Sequence, residues 1–181
     1  MVLIVIAVSF LPGCLTFHRI SYELNLEDDL KGKGVIKIYD IRSGAETDSN
    51  FEEDKHTLFD YILKSDQFIT DMHNEGKDIV SRRLYVKDDA LHGEVKLNFD
   101  DIKKIEGIAF EDGFYYLTVQ PDDSIYSTNG RTIYSEGYKR IVWDKSIKTL
   151  MFEMMAADYD EGIYTDNNES RQNTEREVFK K

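Results

Sequence analysis

Residues 17–41 show the alternation of apolar and polar side chains that is typical of paired β-strands. Their apolar residues first occupy every second position, as Ile20, Tyr22, Leu24 and Leu26. Residues 27–34 then supply acidic, glycine and lysine turn residues, and residues 35–41 return as a segment rich in β-branched side chains. This pattern predicts a β-hairpin at the start of the folded domain.

Similar strand patterns recur further along the chain. Residues 78–87 and 92–99 predict a second hairpin, and residues 100–105 predict a short helical turn that ends at Gly107. Asn129-Gly130 is a turn signal between two strand-like segments. Further strand candidates are 113–119, 124–128, 138–143 and 150–154.

Between the two hairpins, the period of the apolar residues changes to that of a helix. Ser49 and Glu52 have the spacing of a capping box, and Gly76 is a good C-terminal stop. A continuous helix of about 25 residues would be about 37 Å long. Alternatively, Ser65-Asp66 caps a second helix and divides the segment in two. The apolar face consists of Phe51, Leu58, Ile62, Ile69 and Met72.

Together these elements predict an α+β fold. We expect a single antiparallel β-sheet built from hairpins, packed by one long amphipathic helix plus a short helix.

The chain begins with ten residues that are all apolar except Ser9, followed by Leu11-Pro12-Gly13-Cys14. A membrane-spanning helix needs about 20 apolar residues, whereas the apolar part of a signal peptide needs only about 7–15. The segment therefore resembles a bacterial lipoprotein signal that ends in a lipobox. No basic residue precedes the apolar run, which is compatible with a start codon upstream of Met1. An uncleaved N-terminal anchor is the alternative.

The lipoprotein resemblance implies a modification and a location. It implies cleavage between Gly13 and Cys14 and a diacylglycerol on the Cys14 thiol, which would hold the protein to a membrane of the bacterial cell envelope. Leu15 after the cysteine would direct delivery to the outer membrane, if the host has one. The predicted organisation is a signal peptide at 1–13, a lipid anchor and tether at 14–16, an α+β domain at 17–154 and an acidic disordered tail at 155–181.

Composition limits the possible partners. The chain has 35 acidic and 23 basic residues and a net charge of −12, so nucleic acid is an unfavourable partner. Cys14 is the only cysteine, which excludes an internal disulfide and a cysteine nucleophile in the folded domain.

The folded segment itself resembles the LppM-type bacterial lipoproteins. The resemblance rests on the order of elements, on Ser127-Thr128-Asn129-Gly130 followed by Ile141-Val142-Trp143, and on Phe99-Asp100-Asp101-Ile102. It implies an α+β domain at the envelope that binds lipid. It supplies no catalytic residue.

The residues that could act in catalysis or metal binding are better explained by structural roles. His18, His56, His73 and His92 lack metal-ligand spacing, so we expect no metal site. The acidic pairs at 28–29, 88–89, 100–101 and 122–123 fall in predicted turns or helix starts. Asp158, Asp160 and Glu169 imitate a calcium loop, but Ile163 occupies the position that requires glycine. A solvated acidic tail is therefore the better interpretation.

Aromatic residues are the remaining candidates for binding. They could form a groove for a glycan or an amphiphile, although core and cross-strand packing is the preferred interpretation. The cluster comprises Tyr115, Tyr116, Tyr126, Tyr134 and Tyr138.

The sequence thus predicts a non-catalytic binding module for an amphiphile or a protein partner at the membrane surface, with no cofactor and with unassigned ligand-binding residues. The alternative is a structural or assembly factor of an envelope complex that recruits a partner through its surface or its acidic tail.

Overall fold

The computed structural model describes residues 15–28 and 30–156. The first predicted hairpin is confirmed: β1 (Leu15–Leu26) pairs along its length with β2 (Gly32–Ser43). The alternation also predicts the correct faces, since all four apolar residues of β1 from Ile20 to Leu26 are buried. These side chains drive the pairing because they leave water on one face only.

The second hairpin is confirmed as well. It consists of β3 (Lys77–Lys87) and β4 (Ala90–Phe99). Asp88 and Asp89 connect the strands with φ values of 50° and 60°. Two consecutive positive φ angles are the geometry of a tight hairpin turn, which aspartate tolerates better than most residues.

The prediction of a single sheet is wrong, because four of the six later strands form a second sheet. The later strands are β5 (Ala109–Glu111), β6 (Phe114–Val119), β7 (Ser124–Thr128), β8 (Arg131–Tyr134), β9 (Lys139–Asp144) and β10 (Thr149–Met155). The six-stranded sheet has the order β3-β4-β2-β1-β10-β7, and the four-stranded sheet has the order β5-β6-β9-β8. All pairings in both sheets are antiparallel.

The chain crosses between the sheets at Asn129-Gly130, which is therefore not a hairpin turn. β7 before it pairs with β10, whereas β8 after it pairs with β9. A Cβ atom at Gly130 would lie 2.7 Å from both Ile141 Cγ2 and Trp143 Nε1, so only glycine fits this crossing. The Trp143 indole donates to Asn129 Oδ1 at 2.8 Å and fixes the segment over the core.

The main core lies between the two sheets. It joins apolar residues of β1, β4 and β10 to residues of β6 and β9 and to the segment around a 3₁₀-helix (Ile102–Lys104). That short helix was predicted by the sequence. Tyr22 stacks on Phe152 with 4.5 Å between ring centroids, and Trp143 packs against Phe152 at 5.9 Å.

The prediction of one long helix is also wrong, and the alternative with a break at Ser65 is confirmed. The helical segment consists of α1 (Asp48–Lys55), a π-helix (His56–Lys64) and α2 (Asp66–Asn74). Ser65 caps α2 by accepting from Gln67 N. The predicted capping box is replaced by Thr47, whose hydroxyl accepts from Asn50 N.

The helices pack on a smaller core beside the main one. Leu58 of the π-helix is buried against Ile41 and Leu91 of the six-stranded sheet. The predicted apolar face does not continue past the break, because Ile69 is exposed. The predicted α+β class is therefore correct, and the fold consists of two sheets with short helical segments.

Candidate functional site

The outer face of the six-stranded sheet carries a depression of about 330 Å³ across β2, β1, β10 and β7. Strand alternation produces this face, because Ile20, Tyr22 and Leu24 face the core and Ser21 and Glu23 therefore face outward. The depression is lined by residues of mixed chemistry, including Ser21, Lys37, Tyr39, Ser127, Met151 and Glu153.

The register of the strands explains the shape and the charge of the depression. Ser21 pairs with Lys37 of β2 on one side and with Glu153 of β10 on the other. Glu153 in turn pairs with Ser127 of β7. Small hydroxyl side chains thus alternate with long charged ones, and the surface is lower at the serines.

Arg19 contacts two residues that line the depression, Tyr39 and Glu153. Its guanidinium carbon lies 4.5 Å from the ring centroid of Tyr39 and 4.7 Å from that of Tyr126, on opposite sides of β1. Its Nη1 atom lies 3.4 Å from Glu153 Oε2, so its charge is matched by a carboxylate. Its Nε atom is buried and has no hydrogen-bond partner among the described residues. We call Tyr39, Arg19 and Tyr126 the Arg19 stack.

The Arg19 stack belongs to a longer row of rings. His92 of β4 meets Tyr39 edge-on at 5.8 Å and stacks on Tyr85 of β3 at 5.4 Å. The row therefore runs from β3 to β7 across the whole sheet. Cation–π and aromatic contacts of this kind each contribute about 0.5–1 kcal/mol, and together they favour one arrangement of the side chains on this side of the depression.

A second ion pair lies on the same face. Arg83 Nε and Nη2 donate to the two carboxylate oxygens of Glu94, each at 3.1 Å. The hydrogen bonds from Arg83 lower the pKa of Glu94. Arginines of this face are thus neutralised by neighbours within the sheet.

Tyr22 and Glu106 form a buried polar contact on the core side of β1. The Tyr22 hydroxyl donates to Glu106 Oε1 at 2.8 Å. Burial raises the pKa of both groups, because it disfavours their charged forms. Tyr22 is among the residues that line the depression, but its side chain is buried and its hydroxyl binds Glu106 on the core side, so we assign this pair no part in binding.

The structure places the four histidines apart from one another. His92 belongs to the ring row, and His73 Nδ1 lies 2.5 Å from Asp78 Oδ1 at the surface. His18 is in β1, and His56 opens the π-helix. Within residues 15–28 and 30–156, no cluster of three or more potential metal ligands is present.

The acidic pairs have the local roles that the sequence predicts. Asp28 accepts hydrogen bonds from the backbone N–H groups of Leu30 and Lys31. Asp101 accepts from Lys103 N at the start of the 3₁₀-helix. These contacts satisfy backbone donors in turns, which accounts for aspartate at these positions.

The predicted tyrosine cluster does not form a single groove. Tyr115 is buried in the core, as the preferred interpretation predicts, whereas Tyr134 is 69% exposed. Tyr126 belongs to the six-stranded sheet, and Tyr116 and Tyr138 contact Arg140 of the four-stranded sheet. Three of the five tyrosines therefore contact arginines, Tyr126 on one sheet and Tyr116 and Tyr138 on the other.

Gly13 and Cys14 lie outside the described residues, as do Asp158, Asp160 and Glu169 of the calcium-like segment. Leu15 and Thr16, the predicted tether, are strand residues of β1 and pair with Ser43 and Arg42. Among the residues that the structure describes, no helix is long and apolar enough to cross a membrane.

Arg19 and Arg140 do not stand out in the sequence. Each occupies an outward position of an alternating strand, which is an ordinary place for a charged residue. The tyrosines that contact them come from other strands or lie two residues away in the sequence. The alternation of apolar and polar residues does not show which strands pair, so these contacts cannot be predicted from it. The only feature of the sequence that could have indicated these two stacks is the presence of arginine and tyrosine on polar strand faces.

Searches of family models, curated proteins and solved structures find no match to this chain.

Proposed function

We propose that the protein is a lipid-anchored, non-catalytic binding module of the bacterial cell envelope. In this proposal a diacylglycerol on Cys14 holds the domain at a membrane, and the depression on the six-stranded sheet binds an amphiphile. The Met151 and Tyr39 side chains would contact the apolar part of that ligand, and Ser21 and Lys37 would contact its polar part.

The depression is the observation that carries this proposal. It combines apolar, hydroxyl and charged groups within one concave surface, as small-molecule sites commonly do. The contact of Tyr39 with Arg19 also favours binding, because a side chain held by its neighbours loses less entropy when a ligand arrives. The Glu153 carboxylate in the depression forms an ion pair with Arg19. Because this carboxylate is engaged in a structural contact, a binding role for the depression is favoured over a catalytic role in proton transfer.

The position of β1 fits an anchor at Cys14. Leu15 already pairs with Ser43, so a lipid on the preceding residue would leave almost no linker between membrane and domain. A ligand drawn from that membrane would have a short path to the domain.

A variant that fills the depression tests the binding site. Ser21→Trp places an indole at its centre, and Ser81→Trp places the same ring on β3, on the same face but outside the depression. We expect native mass spectrometry of the full chain, purified from bacterial envelopes in mild detergent, to show a bound adduct in the wild type and in Ser81→Trp. The adduct should be absent from Ser21→Trp. An adduct retained by a folded Ser21→Trp protein would refute the site.

A cysteine variant tests the anchor separately. We expect the wild-type chain to fractionate with membranes and to carry the mass of a diacylglycerol on the peptide that begins with Cys14. Cys14→Ser should lose this mass. An unmodified Cys14 in a bacterial host with a lipoprotein pathway would contradict the anchor and leave the test of the depression intact.

The second candidate is an assembly factor that binds a protein partner. The observation in its favour is β3, an edge strand of the six-stranded sheet whose Val80 and Val86 are 61% and 43% exposed. Exposed edge strands can pair with an extended segment of another chain. A stoichiometric protein complex lost in Val80→Lys, together with the absence of a small adduct, would favour this function.

A further inference from the structure

The outer face of the four-stranded sheet carries arginines whose charge is not matched within the sheet. Ile141 and Trp143 of β9 are buried, so the alternate residues Arg140 and Val142 face outward. Arg131 of β8 pairs with Val142 and shares this face. Arg131 and Arg140 are therefore diagonal neighbours on adjacent strands, about 7–8 Å apart at the backbone.

Arg140 is held in a fixed orientation. Its guanidinium carbon lies 4.8 Å from the ring centroids of both Tyr116 and Tyr138, and its Nε donates to Thr118 Oγ1 at 3.0 Å. We call Tyr116, Arg140 and Tyr138 the Arg140 stack. Because Nε is engaged with Thr118, the two Nη groups remain as donors for a ligand.

No carboxylate neutralises these arginines. Among residues 15–28 and 30–156, neither Arg131 nor Arg140 forms an ion pair. The Glu111 carboxylate accepts from the Tyr116 hydroxyl at 2.7 Å and does not pair with Arg140. Of the six arginines among residues 15–28 and 30–156, Arg19, Arg42 and Arg83 form ion pairs, and Arg82 donates to two backbone carbonyls. Arg131 and Arg140 are instead adjacent to each other on one face, so an external anion would be attracted by two positive charges at once.

We propose that Arg140 and Arg131 form a binding site for a phosphate group. Guanidinium groups bind phosphate through paired N–H donors, and an oriented, stacked arginine does so at a lower entropic cost. A phosphate monoester carries about −1.5 to −2 charges at pH 7, which matches two arginines. The Tyr138 hydroxyl, which has no hydrogen-bond partner within the described part of the chain, is an additional donor beside them. This site is on a different sheet from the depression and does not depend on it.

The test is an NMR titration of the full chain carrying Cys14→Ser, in a detergent that contains no phosphate. The Nε–H signal of Arg140 is the readout, assigned by its loss in Arg140→Gln. The titrants are inorganic phosphate, dihexanoyl phosphatidic acid as a soluble phosphate-bearing lipid, and dihexanoyl phosphatidylcholine as the control lipid. We expect saturable shifts with the first two and none with the third.

Variants separate a specific site from general charge attraction. Arg131→Gln should weaken phosphate binding by about tenfold or more, which is the effect of losing one charge-assisted contact. Lys145→Gln removes the same charge from the loop after β9 and should leave binding unchanged.

Equal affinities for phosphate and phosphatidic acid would assign the site to the free phosphate group, and tighter binding of phosphatidic acid would assign it to a lipid headgroup. No saturable shift with either titrant, or equal weakening in Lys145→Gln, would overturn the proposal.

Discussion

The two sheets each present an arginine stacked on two tyrosines, and the two stacks differ in one respect. Arg19 lies 4.5 and 4.7 Å from its rings, and Arg140 lies 4.8 Å from both of its rings. Arg19 has a carboxylate partner in Glu153, whereas the neighbour of Arg140 is the Thr118 hydroxyl. The contacts with the rings are similar, and the charge balance is not.

This difference indicates what each arginine does. A stacked arginine with a carboxylate partner satisfies its charge inside the fold and stabilises the sheet around it. A stacked arginine with only a hydroxyl partner keeps its orientation but leaves its charge for a ligand. Cation–π geometry alone therefore does not identify a binding residue, and the nearest carboxylate must be considered with it.

The largest expected effect is on stability. We predict that Arg19→Ala lowers the free energy of unfolding by about 2–3 kcal/mol, because it removes two ring contacts and leaves Glu153 without its cation. Arg140→Ala should cost about 1–2 kcal/mol, because no carboxylate loses its partner. Urea unfolding followed by circular dichroism measures both values.

A double-mutant cycle isolates the ion pair from the ring contacts. The coupling energy between Arg19 and Glu153 should be about 1 kcal/mol, and that between Arg140 and Glu111 should be near zero. Equal coupling energies would remove the distinction between the stacks.

The second prediction gives the Arg140 stack a carboxylate partner like the one that the Arg19 stack has in Glu153. Thr118→Glu places a carboxylate directly opposite Arg140 in the β6–β9 pair. We expect this change to reduce phosphate binding at the Arg140 stack by about tenfold or more, because the new carboxylate competes for the same donors. Its effect on stability should stay below about 1 kcal/mol.

Thr118→Gln serves as the control for size. It places a side chain of similar length at the same position without a charge, and it should retain most of the phosphate binding. Equal loss of binding in Thr118→Glu and Thr118→Gln would show that space, rather than charge, controls this site.

The smallest expected effect is on the pH dependence of stability. It concerns Glu106 and Glu94, two carboxylates whose pKa values are shifted in opposite directions. Burial raises the pKa of Glu106 above its ordinary value of 4.5, so the folded state holds its proton more tightly than the unfolded state does. Stability from this group should therefore fall as the pH rises from about 4.5 through the raised pKa. Glu106→Gln should flatten that part of the profile, measured by urea unfolding between pH 4 and pH 8.

Glu94 provides the comparison of opposite sign. Arg83 lowers its pKa, so its contribution to stability should be present above pH 4.5 and lost as the pH falls through the lowered pKa. Glu94→Gln should therefore flatten the acidic side of the profile. The same pH profile in both variants would contradict these assignments.

The sequence predicts individual strands well because alternation depends on neighbouring residues. The buried side chains of β1 and the turn at Asp88-Asp89 follow from such local patterns. Which strands share a sheet depends on distant pairings, such as that of β1 with β10, and alternation carries no information about them. The prediction of one sheet fails for this reason at Asn129-Gly130, where the chain changes sheets.

The helical segment shows the same limit. The apolar spacing from Phe51 to Met72 fits a continuous helix, and only the Ser65-Asp66 signal points to a break. The π-helix from His56 to Lys64 is not a state that ordinary helical periodicity predicts, since π-helices are rare. The depression was missed because its lining comes from four strands that only the fold brings together.

Site-specific photocrosslinking tests most directly whether the depression binds a ligand. A benzoylphenylalanine residue would replace Met151 in the depression or, as a control, Ile69 on α2, which are 45% and 37% exposed. After irradiation of living bacteria, we predict that the Met151 protein carries a crosslinked small-molecule adduct and that the Ile69 protein does not. Equal crosslinking at both positions, or none at Met151, would contradict the assignment of this face as the binding site.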